Sequence, residues 1–96
     1  MSQHMFRTVD LGGKPVRVVL GFDRRLDYVF CFVEDEEEDF LYSNLDDDQA
    51  GIHQQDVSYY RLILAGLGII VPDQMFTEVE SDQANRVGNR EVDYTK

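Results

Sequence analysis

The amino-acid sequence predicts an α+β domain: an antiparallel sheet of three to five strands with a pair of helices packed on one face. Three observations predict this fold. Apolar, alternating segments flank a Gly-Gly pair, an unbroken apolar run follows at 28–33, and two segments of helical periodicity follow residue 55. The predicted element order is β-β-β-(β)-α-α-(β). A chain of 96 residues is expected to form a single domain over 1–96, because it is too short to bury two separate cores.

The first two strands, Met5–Leu11 and Lys14–Phe22, are predicted to form a β-hairpin with a two-residue turn at Gly12-Gly13. Adjacent glycines supply the positive φ angles that such turns need. Counting outward from the turn pairs Val9 with Val16 and Arg7 with Val18. The alternation assigns Val16, Val18, Leu20 and Phe22 to the core side, and Phe6, Thr8, Asp10, Arg17 and Val19 to the other face.

The third predicted strand, Tyr28–Val33, has the aromatic and β-branched composition of a central strand. Acidic residues follow directly, and their mutual repulsion is expected to end the strand in an exposed loop. Phe40–Tyr42 is predicted to return as a short strand, and Ser43–His53 to form a loop, with a helical turn as the alternative. Because the third strand is apolar on both faces, the sheet face that the helices leave open is expected to bear Val19, Val29, Cys31 and Val33. Either a loop of the chain or a partner is expected to cover it.

Two helices are predicted after this sheet. The first spans Asp56–Leu67, where apolar residues recur at helical spacing, and Gly68 is placed to close it in the left-handed conformation. The second begins at Pro72, with Asp73 near its start, and is expected to stop at Gly88. Alternation around Val92 and Tyr94 permits a short terminal edge strand.

The net charge of −10 belongs to one segment of the chain. Residues 26–60 contain eleven carboxylates and no Lys or Arg, whereas the remaining residues contain nine basic and eight acidic side chains. Direct binding to nucleic acid is disfavoured, because phosphate contacts need clustered cations. The second predicted helix is itself acidic, which argues against a DNA-reading helix pair.

The compartment is expected to be the cytoplasm. Cys31 is the only cysteine, so no intramolecular disulfide is possible, and the first residues lack the basic and apolar segments of a secretory signal. The apolar run Leu62–Val71 is about half of the roughly 20 residues needed to span a bilayer, so no membrane anchor is predicted.

Catalytic and metal-binding patterns are not supported by spacing. Cys31 lies in the apolar run and is interpreted as a packing residue. His53 and Asp56 have the i, i+3 spacing of a base and its orienting group, but no nucleophile accompanies them. An EF-hand loop starting at Asp46 would place Ala50 at position five and Val57 at position twelve, where oxygen ligands are required. No metal or other cofactor is therefore predicted, and a non-enzymatic role is favoured over an enzymatic one.

The leading hypothesis is an acidic interaction module that docks on a basic protein surface, as an inhibitor, an immunity protein or a mimic of nucleic acid would. Charge would steer the encounter, and aromatic residues between the acidic clusters would supply affinity. Its predicted binding residues are Glu34, Asp35, Glu36, Glu37, Glu38, Asp39, Phe40, Tyr42, Asp46, Asp47 and Asp48, with Leu41 as a further apolar anchor.

Two further hypotheses stay open. A small ligand-binding domain or enzyme would use a pocket between the sheet and the helices, lined by Tyr28, His53, Tyr59 and Tyr60. A homodimer would form through the sheet face that the helices leave open or through the sheet edge.

Overall fold

The computed structural model describes residues 1–53 and 55–95, and for 51–53 it describes the backbone alone. Within these residues the chain forms an α+β fold with a five-stranded sheet. The strands are β1 Ser2–Val9, β2 Pro15–Asp23, β3 Tyr28–Asp35, β4 Phe40–Ser43 and β5 Arg90–Asp93. They lie in the order β4-β3-β2-β1-β5. Neighbouring strands are antiparallel except β1 and β5, which are parallel, so the predicted antiparallel sheet is a mixed, mostly antiparallel one. The helices are α1 Asp48–His53, α2 Val57–Gly66 and α3 Asp73–Ala84.

The hairpin between β1 and β2 is present, but its predicted register is wrong by one residue. Val9 pairs with Pro15, which leaves a five-residue loop, 10–14, in place of the two-residue turn. The carboxylate of Asp10 organises this loop by accepting hydrogen bonds from the backbone N–H of Gly12 at 3.0 Å and of Lys14 at 2.9 Å. Because a one-residue slip exchanges the faces of a strand, Phe6 and Thr8 lie on the core side, opposite Val18 and Val16.

The predicted facing of β3 is also corrected. Leu20 pairs with Cys31, and cross-strand partners share a face, so Val29, Cys31 and Val33 belong to the core. Phe30 and Phe32 take the opposite face, where Phe32 pairs with Val19. Cys31 is buried, and this burial raises the pKa of its thiol to about 12.

The hydrophobic core lies between one face of the sheet and the helices. The predicted core side of β2 is confirmed, because Val18, Leu20 and Phe22 are fully buried there. All three helices contribute to this one cluster, through Ala50 of α1, Val57, Tyr60 and Leu64 of α2, and Met75, Phe76 and Val79 of α3. The prediction that helices cover a single face of the sheet is therefore confirmed.

The helix ends follow from local capping. The carboxylate of Asp56 accepts from Tyr59 N–H at the start of α2, and Gly68 closes that helix with φ of +73°, as predicted. The prediction that Gly88 ends the next helix is wrong. Arg86 takes the left-handed position there with φ of +51°, held by its guanidinium bond of 2.8 Å to Asp27. The segment predicted as a loop, Ser43–His53, contains a 3-10 turn at Asn44–Asp46 and then α1.

Candidate functional site

The acidic turn between β3 and β4 is built around Asp35. Its carboxylate accepts from the backbone N–H groups of Glu37 at 2.9 Å and Asp39 at 3.0 Å, and from Lys14 Nζ at 3.0 Å. The hydrogen bond from Lys14, followed by that from the Asp39 backbone, lowers the pKa of Asp35 below its ordinary value. Although acidic, Asp35 therefore orders the turn and is buried beneath it.

Glu34 is neutralised across the sheet. It pairs directly with Arg17 in the β2–β3 register, and Arg17 Nε donates to Glu34 Oε1 at 2.7 Å. A second guanidinium nitrogen contacts the same oxygen. Like Asp35, Glu34 therefore belongs to an ion pair formed with β2.

Asp47 joins three elements through its side chain. Its Oδ2 accepts from the hydroxyls of Tyr42 in β4 and Tyr59 in α2, each at 2.7 Å, and its Oδ1 accepts from Gln49 N–H at 3.1 Å. The bond from Tyr59 is the main cause of a lowered pKa of Asp47, and the same bond raises the pKa of Tyr59. The pKa of Tyr42 is raised first by its burial and then by Asp47. Of the predicted binding residues, Tyr42 and Asp47 thus hold α1 and α2 to β4.

Replacing Asp47 with Asn is expected to lower the free energy of unfolding by about 1–2 kcal/mol, because hydrogen bonds to a charged acceptor are stronger than neutral ones. Asn keeps an oxygen that can accept from Gln49 N–H, but it places an NH2 donor where Oδ2 accepts from the two tyrosine hydroxyls, so the change removes both the charge and that acceptor. Urea denaturation followed by circular dichroism measures the effect. The control is Asp48→Asn, the same charge change at an exposed neighbour. Equal stability of the two variants would contradict the role given to Asp47.

The other predicted carboxylates are exposed. They form no salt bridge within the part of the chain that the structure describes. They fall into two groups, one in the β3–β4 turn and one after β4, so that they flank a four-residue strand about 13 Å long. The turn contributes Glu36, Glu37, Glu38 and Asp39, and the second group consists of Asp46 and Asp48.

Apolar side chains lie between these two groups. Phe40 is 58% exposed and Leu41 is 39% exposed, and the ring of Phe40 packs edge-on against Phe32 with centroids 5.5 Å apart. Along the same strand runs a groove of about 380 Å³, lined by residues 40–43 and 46–48. Since β4 ends the sheet, its outer edge has no strand partner among the described residues. We call Glu36–Leu41 together with Asp46 and Asp48 the acidic edge.

Oxygen atoms of Asp35, Glu37 and Asp39 lie within 4.8 Å of one another, a spacing compatible with a hard cation. Lys14 Nζ already contacts Asp35, so the ammonium group of Lys14 supplies the positive charge that a bound cation would bring to this turn. The EF-hand spacing considered at Asp46 corresponds to a 3-10 turn followed by α1.

The hypothesis of a pocket between the sheet and the helices requires tyrosine hydroxyls that face a ligand, but the hydroxyls of Tyr59 and Tyr60 bind other groups of the chain. Tyr60 is fully buried and donates to the Val29 carbonyl at 3.1 Å, whereas Tyr59 donates to Asp47. Tyr28 is half-buried at the start of β3. The side chain of His53 lies outside the described part of the chain.

A buried polar network was missed by the sequence analysis. His4 Nε2 lies 2.6 Å from Asp82 Oδ2, and His4 Nδ1 lies 2.8 Å from the Tyr94 hydroxyl. Arg90 donates to Asp82 at 2.8 Å and to Glu78 at 2.7 Å. His4 and Asp82 are 0% and 1% exposed, so this network ties β1, α3 and the C-terminal segment together inside the fold.

One signal in the sequence points to this network. Asp82 follows Met75 by seven residues and Val79 by three, a spacing that puts all three on one face of a helix. A carboxylate on an apolar helical stripe needs a buried partner. Neither His4 nor Tyr94 is near it in sequence, so the partners become visible only in the folded chain.

No family model matches the chain, and no curated protein or solved structure matches it significantly. Among residues 1–53 and 55–95, none of the helices has the length and apolar character that crossing a bilayer requires.

Proposed function

We propose that the protein is a non-enzymatic interaction module whose acidic edge docks a basic, extended segment of another protein in the cytoplasm. One observation carries this proposal: the carboxylates at both ends of β4 have no salt bridge within the described chain, and exposed Phe40 and Leu41 lie between them. Such a module acts as an inhibitor or as a mimic of nucleic acid, because it masks the cationic surface of its partner.

Among the described residues, no cation forms a salt bridge with the exposed carboxylates of the acidic edge. Lys14 and Arg17 from β2 pair with Asp35 and Glu34, but neither forms a salt bridge with the exposed groups. The remaining negative field acts over about 8 Å at physiological salt, which favours fast association with a cationic surface. Affinity then depends on the apolar contacts.

The position of β4 supports an extended partner. An edge strand offers backbone N–H and C=O groups to an added strand. Carboxylates at each end of β4 would pair with Lys or Arg of that strand, while Phe40 and Leu41 contact its apolar side chains. The groove beside residues 40–43 provides room for these side chains.

Neutralising two carboxylates of the acidic edge, Glu37→Gln with Glu38→Gln, is expected to weaken binding of an Arg- and Lys-rich peptide about fivefold, since each exposed pair contributes roughly 0.2–1 kcal/mol. The loss should fall mainly on the association rate and disappear at high salt. Fluorescence anisotropy and stopped-flow mixing measure both quantities.

The matched control is Glu80→Gln with Glu91→Gln, the same charge change at two exposed residues of α3 and β5. This variant should bind the peptide almost as well as the unmodified protein does. Equal weakening by both double variants would show that only total charge matters and would contradict a docking site at β4. Binding that does not respond to salt would contradict the charge mechanism.

A further inference from the structure

The sheet face that points away from the helices carries apolar side chains outside the main core. We call this surface the open face. It is formed by residues 5, 7 and 9 of β1, 17 and 19 of β2, 30, 32 and 34 of β3, and Glu36. Every buried apolar side chain that the structure describes in the helices joins the cluster on the other side of the sheet. Its apolar members are Met5, Val9, Val19, Phe30 and Phe32, and Phe40 of the acidic edge adjoins them beside Phe32.

Apolar side chains from three neighbouring strands pack together at the centre of the open face. Val19 in the middle strand is fully buried by its neighbours although it lies outside the core cluster, and the ring of Phe30 lies across Gly21. Met5 and Phe32, the partners of Val19 on the two adjacent strands, are half-buried. Val9 is 48% exposed. An apolar surface of this kind, with charged residues at one end, is typical of a protein interface.

The charged end of the open face is incompletely paired. Arg7 lies directly opposite Arg17, and like charges at opposing positions destabilise a sheet. Arg17 is bound by Glu34, but the Arg7 guanidinium has no salt bridge with any residue that the structure describes. Glu36 likewise has none, although both residues line one concavity of about 470 Å³. A cation and an anion thus remain available on the same surface.

We propose that the open face is the interface of a homodimer whose twofold axis runs along β2. This strand is the central one of the sheet, so the rotation places β1 of each copy over β3 of the other. Arg7 then meets Glu34 and Glu36 of the second copy, and the apolar centres around Val19 stack on each other. The same rotation places Arg17 over Arg17 of the second copy, but each of these guanidinium groups is paired with its own Glu34. The charges of residues 7, 17, 34 and 36 sum to zero, so this end of the interface carries no net charge, despite the net charge of −10 for the chain.

A charge-swap experiment on the full chain tests the geometry. Sedimentation equilibrium at submillimolar concentration should give twice the 11.1 kDa chain mass for the unmodified protein. Arg7→Glu and Glu36→Arg should each raise the dimer dissociation constant by about tenfold or more, because each places like charges across the interface. The double variant with both changes restores opposite charges and should recover most of the affinity.

The control is Arg25→Glu, an equal charge reversal in the exposed turn at the opposite end of the β2–β3 pair from Arg17 and Glu34, and it should leave the dimer unchanged. A single-chain mass for the unmodified protein, or a dimer that tolerates Arg7→Glu without loss, would overturn the proposal. The same holds if the double variant is no better than the two single variants. The dimer experiment contains no basic peptide, so a result that overturns the dimer leaves the docking proposal for the acidic edge unaffected.

Discussion

Replacing Gly21 with Ala is expected to lower the free energy of unfolding by about 3 kcal/mol, because an overpacked site must shift its surroundings. A Cβ atom at this position would lie against the backbone carbonyl oxygen of Ser2 and 2.6 Å from Cζ of Phe30. The Phe30 ring can rotate away. The Ser2 carbonyl cannot move alone, since Ser2 pairs with Phe22 at the start of β1 and its hydroxyl accepts from Phe22 N–H at 3.1 Å.

Urea denaturation followed by circular dichroism measures this loss. The control is Gly66→Ala at the end of α2, where an added Cβ meets nothing within 4 Å. That variant is expected to gain about 0.5 kcal/mol, because Ala has the higher helix propensity and loses less backbone entropy. A Gly21→Ala variant as stable as the unmodified protein would contradict the close approach of β1 and β2.

Replacing Asp82 with Ala is expected to cost about 3 kcal/mol or more, since it leaves buried hydrogen-bonding partners unsatisfied. His4 and Arg90 both bind this carboxylate, and His4 is fully buried. The matched control is Glu80→Ala on the exposed side of the same helix, which should change stability little. Equal losses in the two variants would show that the network does not stabilise the fold.

The Asp82 network also predicts a pH dependence. Burial alone would raise the pKa of Asp82, but hydrogen bonds from His4, Ser2 and Arg90 lower the pKa overall. A carboxyl group whose pKa is lower in the folded than in the unfolded state stabilises the fold above its unfolded pKa of about 3.9, and this contribution is lost as the pH falls further. The unmodified protein should therefore lose more stability between neutral and acidic pH than Asp82→Asn does. Parallel pH profiles for the two proteins would contradict this assignment.

The order and type of the elements were predictable from local patterns, but the facing of the strands was not. The glycines at 12 and 13 indicated a turn, yet the carboxylate of Asp10 decided its length and therefore the register of β1. In β3 both faces are apolar, so alternation carries no information about which face meets the helices. Pairing with β2, which places Cys31 beside Leu20, resolves that choice.

The position of the acidic segment in the sequence was predictable, but which of its carboxylates are exposed in the fold was not. Counting charges located residues 34–48, because no cation occurs there. Which carboxylates build the fold depends on long-range contacts, such as those of Lys14 with Asp35 and of Tyr59 with Asp47. The buried pairing of His4 with Asp82 spans 78 positions in sequence, so no local pattern could have identified both partners.

Docking of a basic segment at the acidic edge is tested by an NMR titration of the isotope-labelled protein with an Arg- and Lys-rich peptide. If the acidic edge is the docking site, backbone amide shifts should concentrate in residues 36–42 and 46–48 and should vanish at high salt. Saturable shifts located on the helices, or shifts that persist unchanged at high salt, would contradict it.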